Sequence, residues 1–158
     1  EDYSTEGDGA IKSDSLYFPK SLLEIGAHAF DGCTAIVEMH LAKDLEKIGD
    51  YAFSGCTRLS DLEIEKDNEV TNIGEWSFHN TMLRSTESNK LSFPNLVSVG
   101  ASAFKSVKTN FSYFALPKSI KNVGANAFAE CTSMSKFAMA DVYILSCQLG
   151  VTYCAGVN

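Results

Sequence analysis

The sequence predicts a solenoid, in which short coils of one repeated design stack on one another and share a parallel β-sheet. Three observations lead to this fold class. A six-residue phrase recurs five times, a second phrase with alternating apolar residues recurs between its copies, and both keep a nearly constant spacing. A coil of this size buries too little apolar surface to fold alone, so it needs neighbours of the same kind.

The first phrase joins an aliphatic residue and a glycine to a phenylalanine. Its copies are Ile25–Phe30, Ile48–Phe53, Ile73–Phe78, Val99–Phe104 and Val123–Phe128. Successive glycines lie 23, 25, 26 and 24 residues apart, and the phenylalanines give the same intervals. The glycine suits a bend where a side chain would clash. We expect the phenylalanine to fill one interior position in every coil and to stack on the phenylalanine of the next.

The second phrase predicts the strand of each coil, because alternation with a period of two is the signature of a half-buried strand. Its six copies are Leu16–Phe18, Met39–Leu41, Leu62–Ile64, Leu91–Phe93, Phe114–Leu116 and Phe137–Met139. They follow one another at intervals of 23, 23, 29, 23 and 23 residues. The long interval contains polar insertions around residues 66–69 and 81–89, which we expect to be surface loops.

Two smaller features recur in phase with these phrases. A cysteine–threonine step follows the phenylalanine at Cys33, Cys56 and Cys131, with Thr81 and Val107 at the same position in the other copies. A proline closes three of the strands, at Pro19, Pro94 and Pro117. With these features, residues 16–140 resemble the leucine-rich repeats of the BspA-like family.

The resemblance implies a leucine-rich repeat solenoid, a right-handed superhelix with a short parallel β-sheet on its concave face and with turns and short helices on its convex face. It also implies a bacterial cell-surface or secreted protein that serves in adhesion and contacts host or neighbouring-cell proteins. We expect three regions along the chain: a polar N-terminal arm or cap at 1–13, the leucine-rich repeat domain of about five repeats at 14–140, and a C-terminal cap at 141–158. In the last region, residues 142–145 and 151–153 read as strands that cover the open sheet edge; the alternative is the start of a further repeat or domain.

The register of the strands predicts which side chains face outward. The inward columns are apolar throughout, and the outward positions form a strip that we expect on the concave face. The expected partner-binding residues are Tyr17, Glu38, His40, Asp61, Glu63, Lys90, Tyr113 and Lys136. The first half of this strip is acidic and the second half is basic. A tyrosine is a typical anchor of protein interfaces; the alternative is an ordinary solvated sheet face.

Cofactors and metals are not expected. Glu38, Asp61 and Glu63 would supply three oxygens to Ca²⁺, but this ion takes six to eight and their spacing is no known calcium loop. The five cysteines form no CxxC pair, so neither a zinc site nor a disulfide framework is supported. We expect Cys33, Cys56 and Cys131 to be reduced core residues, although a Cys33–Cys56 bond stays open, as does pairing of Cys147 with Cys154.

No catalytic constellation appears in the sequence. The usual nucleophile, zinc-protease and phosphate-loop motifs are absent. His40 faces outward while the cysteines face inward, which disfavours a cysteine–histidine pair. Trp76 takes the position that Tyr51 holds in the preceding copy, where packing and an exposed contact for a glycan or protein are both open readings. The chain is therefore not expected to be an enzyme.

Charge and hydropathy limit the classes of partner that we expect for this chain. The net charge is −7 and the isoelectric point is about 4.9. Nucleic-acid binding needs a basic surface that releases phosphate counterions, and anionic membranes attract basic segments, so neither partner is expected. No apolar run is long enough to insert into a bilayer.

These observations favour a non-catalytic module that binds a protein, or alternatively a glycan, outside the cell. The runner-up is a structural spacer or stalk within a larger surface protein.

Overall fold

The computed structural model describes residues 14–86, 90–107 and 110–139, and these residues form a parallel-strand solenoid of about five turns. Its ten strands are β1 (Ser15–Tyr17), β2 (Glu24–Ile25), β3 (Glu38–His40), β4 (Lys47–Ile48), β5 (Asp61–Glu63), β6 (Asn72–Ile73), β7 (Ser98–Val99), β8 (Tyr113–Leu116), β9 (Asn122–Val123) and β10 (Lys136–Met139). We number the coils one to six by β1, β3, β5, the Lys90–Phe93 segment, β8 and β10.

The predicted strands and their register are confirmed in five of the six coils. β1, β3 and β5 form one parallel sheet, which aligns Ser15 with Glu38 and Glu38 with Asp61. β8 and β10 form another, which aligns Tyr113 with Lys136. A shift of one residue would turn every side chain to the other face, so this register fixes which residues lie outward.

A second row of strands was not predicted. β2, β4, β6, β7 and β9 form a five-stranded parallel sheet from the two residues that precede each repeated glycine. Two-residue strands have no alternation to reveal them. The repeated aliphatic residue, such as Ile48 or Ile73, is buried, whereas its neighbour is polar.

The phenylalanines form a single stack through the core, as the sequence predicts. The ring centroids of Phe30 and Phe53 lie 5.3 Å apart, and each later step, through Phe78 and Phe104 to Phe128, measures 5.2–5.4 Å. The ring planes at these steps differ by 12° or less. Four of the rings are fully buried and Phe30, in the first coil, is partly buried.

The repeated glycine is required by the approach of neighbouring coils. A Cβ placed on Gly100 would lie 2.4 Å from the backbone nitrogen of Glu75, and one on Gly124 would lie 2.2 Å from that of Ala101. Real Cβ atoms do not come so close, so no side chain fits. Gly26 in the first coil has nothing within 4 Å of this position, which shows that stacking, rather than the bend itself, selects glycine.

The short helices that the family resemblance implied are absent from the described residues. Each repeated phrase instead forms successive turns in which residues such as His28 and Tyr51 take a left-handed φ of 57° and 56°. This conformation interrupts a helix. It also lets the N–H groups of His28, Phe30 and Gly32 donate to carbonyls of the second coil, at 2.8, 2.8 and 2.7 Å.

The fourth coil departs from the predicted strand. No strand forms at Leu91–Phe93, although Leu91 and Phe93 are buried as expected. Ser85 takes the ladder position instead, in a parallel bridge with Phe111. Its hydroxyl oxygen accepts a hydrogen bond from the Leu91 N–H at 3.1 Å, which links Leu91 to this bridge.

The two polar insertions are not simple surface loops. Thr81, Leu83 and Ser85 are buried while Met82 and Arg84 are exposed, so this part of the second insertion is extended against the core. In the first insertion Asn68 is fully buried, and its amide nitrogen donates to the carbonyls of Glu65 and Ser92 at 2.8 and 3.0 Å. Asn68 therefore joins the third coil to the fourth.

The expected terminal regions, 1–13 and 141–158 with Cys147 and Cys154, lie outside the described residues. Within the described ranges no helix is long and apolar enough to cross a bilayer.

Candidate functional site

The predicted outward residues lie on the sheet of β1, β3 and β5, on the sheet of β8 and β10, and at Lys90 between them; we call this set the strip. It comprises Tyr17, Glu38, His40, Asp61, Glu63, Lys90, Tyr113 and Lys136. The alternate residues of the same strands point into the core, as Met39 and Phe114 do. Among the strip residues Tyr17, Glu63, Lys90 and Lys136 are exposed and the others are partly buried.

An aromatic pair opens the strip in the first two coils. The rings of Tyr17 and His40 lie 4.1 Å apart and 11° from parallel. Nε2 of His40 lies 3.0 Å from Oε1 of Glu38, an ion-pair distance that lacks the alignment of a hydrogen bond. The other oxygen of Glu38 accepts a hydrogen bond from the Ser15 hydroxyl at 3.2 Å. Glu38 is thus positioned by residues of two coils, and Tyr17 remains 48% exposed.

The third coil carries the remaining carboxylates of the strip. Asp61 accepts a hydrogen bond from the Ser60 hydroxyl, and its other oxygen lies 3.6 Å from a guanidinium nitrogen of Arg84. Glu63 is exposed in the adjacent outward position. The charge of the acidic half is therefore partly neutralised at Asp61, whereas the Glu63 side chain is exposed.

Lys90, Tyr113 and Lys136 meet in the basic half. The ammonium nitrogens of Lys90 and Lys136 lie 4.7 and 5.9 Å from the centroid of the Tyr113 ring. Each is within the range of a cation–π contact. Lys90 keeps its predicted neighbour although its own segment forms no strand, so the strip continues through the irregular fourth coil.

The second sheet carries a groove that the sequence did not predict. It has a volume of about 610 Å³ and runs along β2, β4, β6, β7 and β9 over the glycine column. Its lining includes Lys47, Asp50, Glu75 and Lys121. An oxygen of Asp50 accepts a hydrogen bond from the Glu75 N–H at 2.8 Å. Polar residues recur before and after each glycine, and this regular spacing is the sequence pattern that corresponds to the groove.

Trp76 belongs to a ladder of stacked rings rather than to an open platform. The rings of His28 and Tyr51 lie 4.8 Å apart, and those of Tyr51 and Trp76 lie 6.1 Å apart, all nearly parallel. From the following coil, the Lys105 ammonium nitrogen lies 5.4 Å from the indole centroid. His79 adds an edge contact at 4.8 Å. These contacts favour packing as the role of Trp76.

The described cysteines are free thiols, so the Cys33–Cys56 bond that the sequence left open does not form. The Cys56 thiol donates to the Phe30 carbonyl at 3.1 Å, and the Cys131 thiol to the Phe104 carbonyl at 3.0 Å. Burial raises the pKa of Cys56 to about 11 and that of Cys131 to about 12. Both therefore stay protonated at neutral pH, which suits structural thiols better than nucleophiles.

The carboxylates considered for Ca²⁺ do not form a cation site in this geometry. In the part of the chain that the structure describes, no three histidine, cysteine, aspartate or glutamate side chains converge as metal ligands would.

Three solved bacterial proteins share this fold. The leucine-rich repeat protein TpLRR of T. pallidum is 20% identical, with a TM-score of 0.65 over 79% of this chain and 69% of its own. A leucine-rich repeat protein of Bacteroides ovatus is 24% identical, with a TM-score of 0.67 over 84% of this chain. One from Eubacterium ventriosum is 19% identical, with a TM-score of 0.64 over 81%.

This chain spans 36% of the length of the B. ovatus protein and 32% of that of the E. ventriosum protein. No curated protein matches the sequence. Residues 9–135, most of the chain, match the BspA type leucine-rich repeat region in six copies. Leucine-rich repeats serve generally as protein-interaction surfaces and are typically not enzymes. The chain belongs to the BspA-type leucine-rich repeat family.

Proposed function

We propose that this chain is a non-catalytic, protein-binding module of a cell-surface or secreted protein, and that it holds its partner on the strip. The observation that supports the proposal is the shared register of the outward residues in five coils, which the contact of Lys90 with Tyr113 extends to the fourth coil. Tyr17, Glu63, Lys90 and Lys136 are exposed along this strip. The role that we propose for this module is adhesion to a host or neighbouring cell.

The chemistry of the strip supports a protein partner in preference to a glycan. Sugar-binding sites offer an open aromatic face, whereas one face of Tyr17 is covered by His40 and Tyr113 has two lysine ammonium groups over its ring. Separate acidic and basic halves match a protein surface of the reverse pattern, since complementary charge gives specificity and speeds encounter.

The test uses the double variant Glu63→Lys, Tyr113→Ala, which reverses one charge and removes the aromatic anchor. Partners captured from cell-surface extracts by the unmodified chain are purified, and their affinity for both forms is measured by surface plasmon resonance. We expect at least a tenfold loss of affinity. The matched control, Glu46→Lys, Met82→Ala, changes an exposed carboxylate and an exposed apolar side chain outside the strip.

Unchanged affinity in the strip variant would reject the proposal, provided that its thermal unfolding matches that of the control. A glycan array in parallel tests the alternative ligand class, and a specific carbohydrate that competes for the strip would replace the protein partner in this proposal.

A structural spacer is the second candidate, because the chain spans only about a third of the length of two of the solved proteins that share its fold. In that case the coils present flanking domains, and the strip has no partner of its own. Adhesion of a full-length surface protein that carries Glu63→Lys, Tyr113→Ala would then equal that of the parent protein, while deletion of whole coils would lower it.

A further inference from the structure

The two halves of the strip differ in charge. Coils two and three carry the carboxylates Glu38, Asp61 and Glu63, whereas coils four to six carry Lys90 and Lys136 on either side of Tyr113 in sequence. A surface with opposite charges at its two ends is complementary to a reversed copy of itself. This property is the requirement for a symmetric dimer, in which each copy contributes the same patch.

The side chains of the second outward column also differ in size between the two halves. The second outward residue of each coil is large in the first three coils, where Tyr17, His40 and Glu63 stand. It is small in the last three coils, where Ser92, Ala115 and Ala138 stand. The second outward column therefore projects in the first three coils and is recessed in the last three, so reversal sets large side chains against small ones in this column.

We propose that the strip binds a second copy of this chain about a two-fold axis that lies parallel to the strands, between coils three and four. This inference rests on the proposed function only in taking the strip to be a protein-binding surface. Rotation about this axis reverses the order of the coils, and each outward column then faces the same column of the other copy. Coil three then faces coil four of the other copy, coil two faces coil five, and coil one faces coil six.

This pairing places unlike groups together. Asp61 faces Lys90, and the Glu38 carboxylate faces the Tyr113 hydroxyl, which is able to donate a hydrogen bond to it. Tyr17 faces the small Ala138. A two-fold axis perpendicular to the strands would instead pair each coil with the same coil of the other copy. It would set Asp61 of one copy opposite Glu63 of the other. Repulsion between like charges excludes that arrangement.

The size of the strip sets the strength of the dimer. Six coils at a spacing of about 4.8 Å extend about 24 Å, and the strip is two side chains wide. This area is smaller than the roughly 800 Å² per partner of stable interfaces. The net charge of −7 on each copy adds repulsion at long range. The dimer is therefore weak and reversible, and forms only at high protein concentration.

The test is sedimentation equilibrium of the purified chain up to about 1 mM, with the variants Asp61→Lys and Lys90→Glu alone and mixed. Each variant alone sets like charges against each other at both central contacts of the dimer, and we expect it to be monomeric. The mixture restores unlike charges at both contacts, because the lysine introduced at position 61 of one chain meets the glutamate introduced at position 90 of the other. We expect dimers again in the mixture. Glu46→Lys is the control and should dimerise like the unmodified chain.

An unmodified chain that stays monomeric at 1 mM would overturn the inference, and so would dimers that both variants retain or a mixture that fails to associate. The experiment contains no foreign protein. A monomeric chain whose foreign partner is lost on Glu63→Lys, Tyr113→Ala would leave the proposed function in place and reject self-association alone.

Discussion

The ring of Phe53 lies parallel to that of Phe78, with centroids 5.4 Å apart and planes that differ by 12°. The same contact repeats at every step of the column, so five phenylalanines form a continuous stack inside the core. Each inner ring of the column stacks on the rings of both neighbouring coils, and its loss would open a cavity between them.

Replacement of Phe53 by alanine is expected to lower the free energy of unfolding by about 3–5 kcal/mol, because a fully buried phenylalanine leaves a cavity behind. Chemical denaturation monitored by circular dichroism measures the change. Phe30→Ala is the matched control, since Phe30 is only partly buried in the first coil, and its cost should be smaller. Equal costs for both variants would contradict an interior column.

Gly100→Ala should destabilise the protein by about 1–3 kcal/mol or more, because its Cβ would lie 2.4 Å from the Glu75 nitrogen and force the third and fourth coils apart. Gly26→Ala places the same methyl group where nothing lies within 4 Å. Its effect should stay within about 0.5 kcal/mol. Thermal unfolding of the two variants side by side distinguishes stacking from bending as the reason for glycine; a large loss at Gly26 would favour bending.

Asn68→Ala is expected to cost about 1–3 kcal/mol, because it leaves the carbonyls of Glu65 and Ser92 without their buried donor. Asn122→Ala removes an equal side chain from an exposed position in β9 and should change stability by less than about 0.5 kcal/mol. Urea unfolding of both variants measures the difference. A neutral Asn68→Ala would mean that the insertion is a loop after all.

The buried thiols should resist alkylation. Because the pKa of Cys56 is raised to about 11 and that of Cys131 to about 12, almost no thiolate is present at pH 8. Iodoacetamide treatment followed by peptide mass spectrometry should show both residues unmodified in the folded protein and modified in urea. Labelling of folded Cys56 at the rate seen in urea would refute its burial.

Acid should weaken the ring ladder at His79. Burial, together with the Lys105 ammonium, lowers the pKa of this histidine below its ordinary value of about 6.5. The unfolded chain then binds the proton more readily, so stability falls as the pH drops below about 6.5. In denaturation at pH 7.5 and 5.5, the His79→Gln variant should lose less stability than the parent chain. Equal losses would show that His79 plays no part.

The repeat spacing predicted the phenylalanine stack and the outward strand positions, but it missed the two-residue strands before each glycine and the contacts that only one coil makes. The phenylalanine stack and the outward positions of Glu38 and Tyr113 follow from spacing alone, because the coils share one register. The sequence did not predict the roles of Ser85 and Asn68, because each contacts a residue of another coil and neither contact recurs in the other repeats. The short helices that the family resemblance implied do not form, because left-handed residues such as Tyr51 interrupt them and direct N–H groups toward the next coil.

Those turn hydrogen bonds have a mechanical consequence. At each junction they point from one coil to the next, so a force that pulls the ends of the solenoid apart acts on successive junctions in series. Rupture of one junction would release 23–26 residues, or about 80 Å of extended chain, and leave the remaining coils stacked. A protein attached to a surface by such coils would lengthen in steps under load instead of breaking its attachment at once.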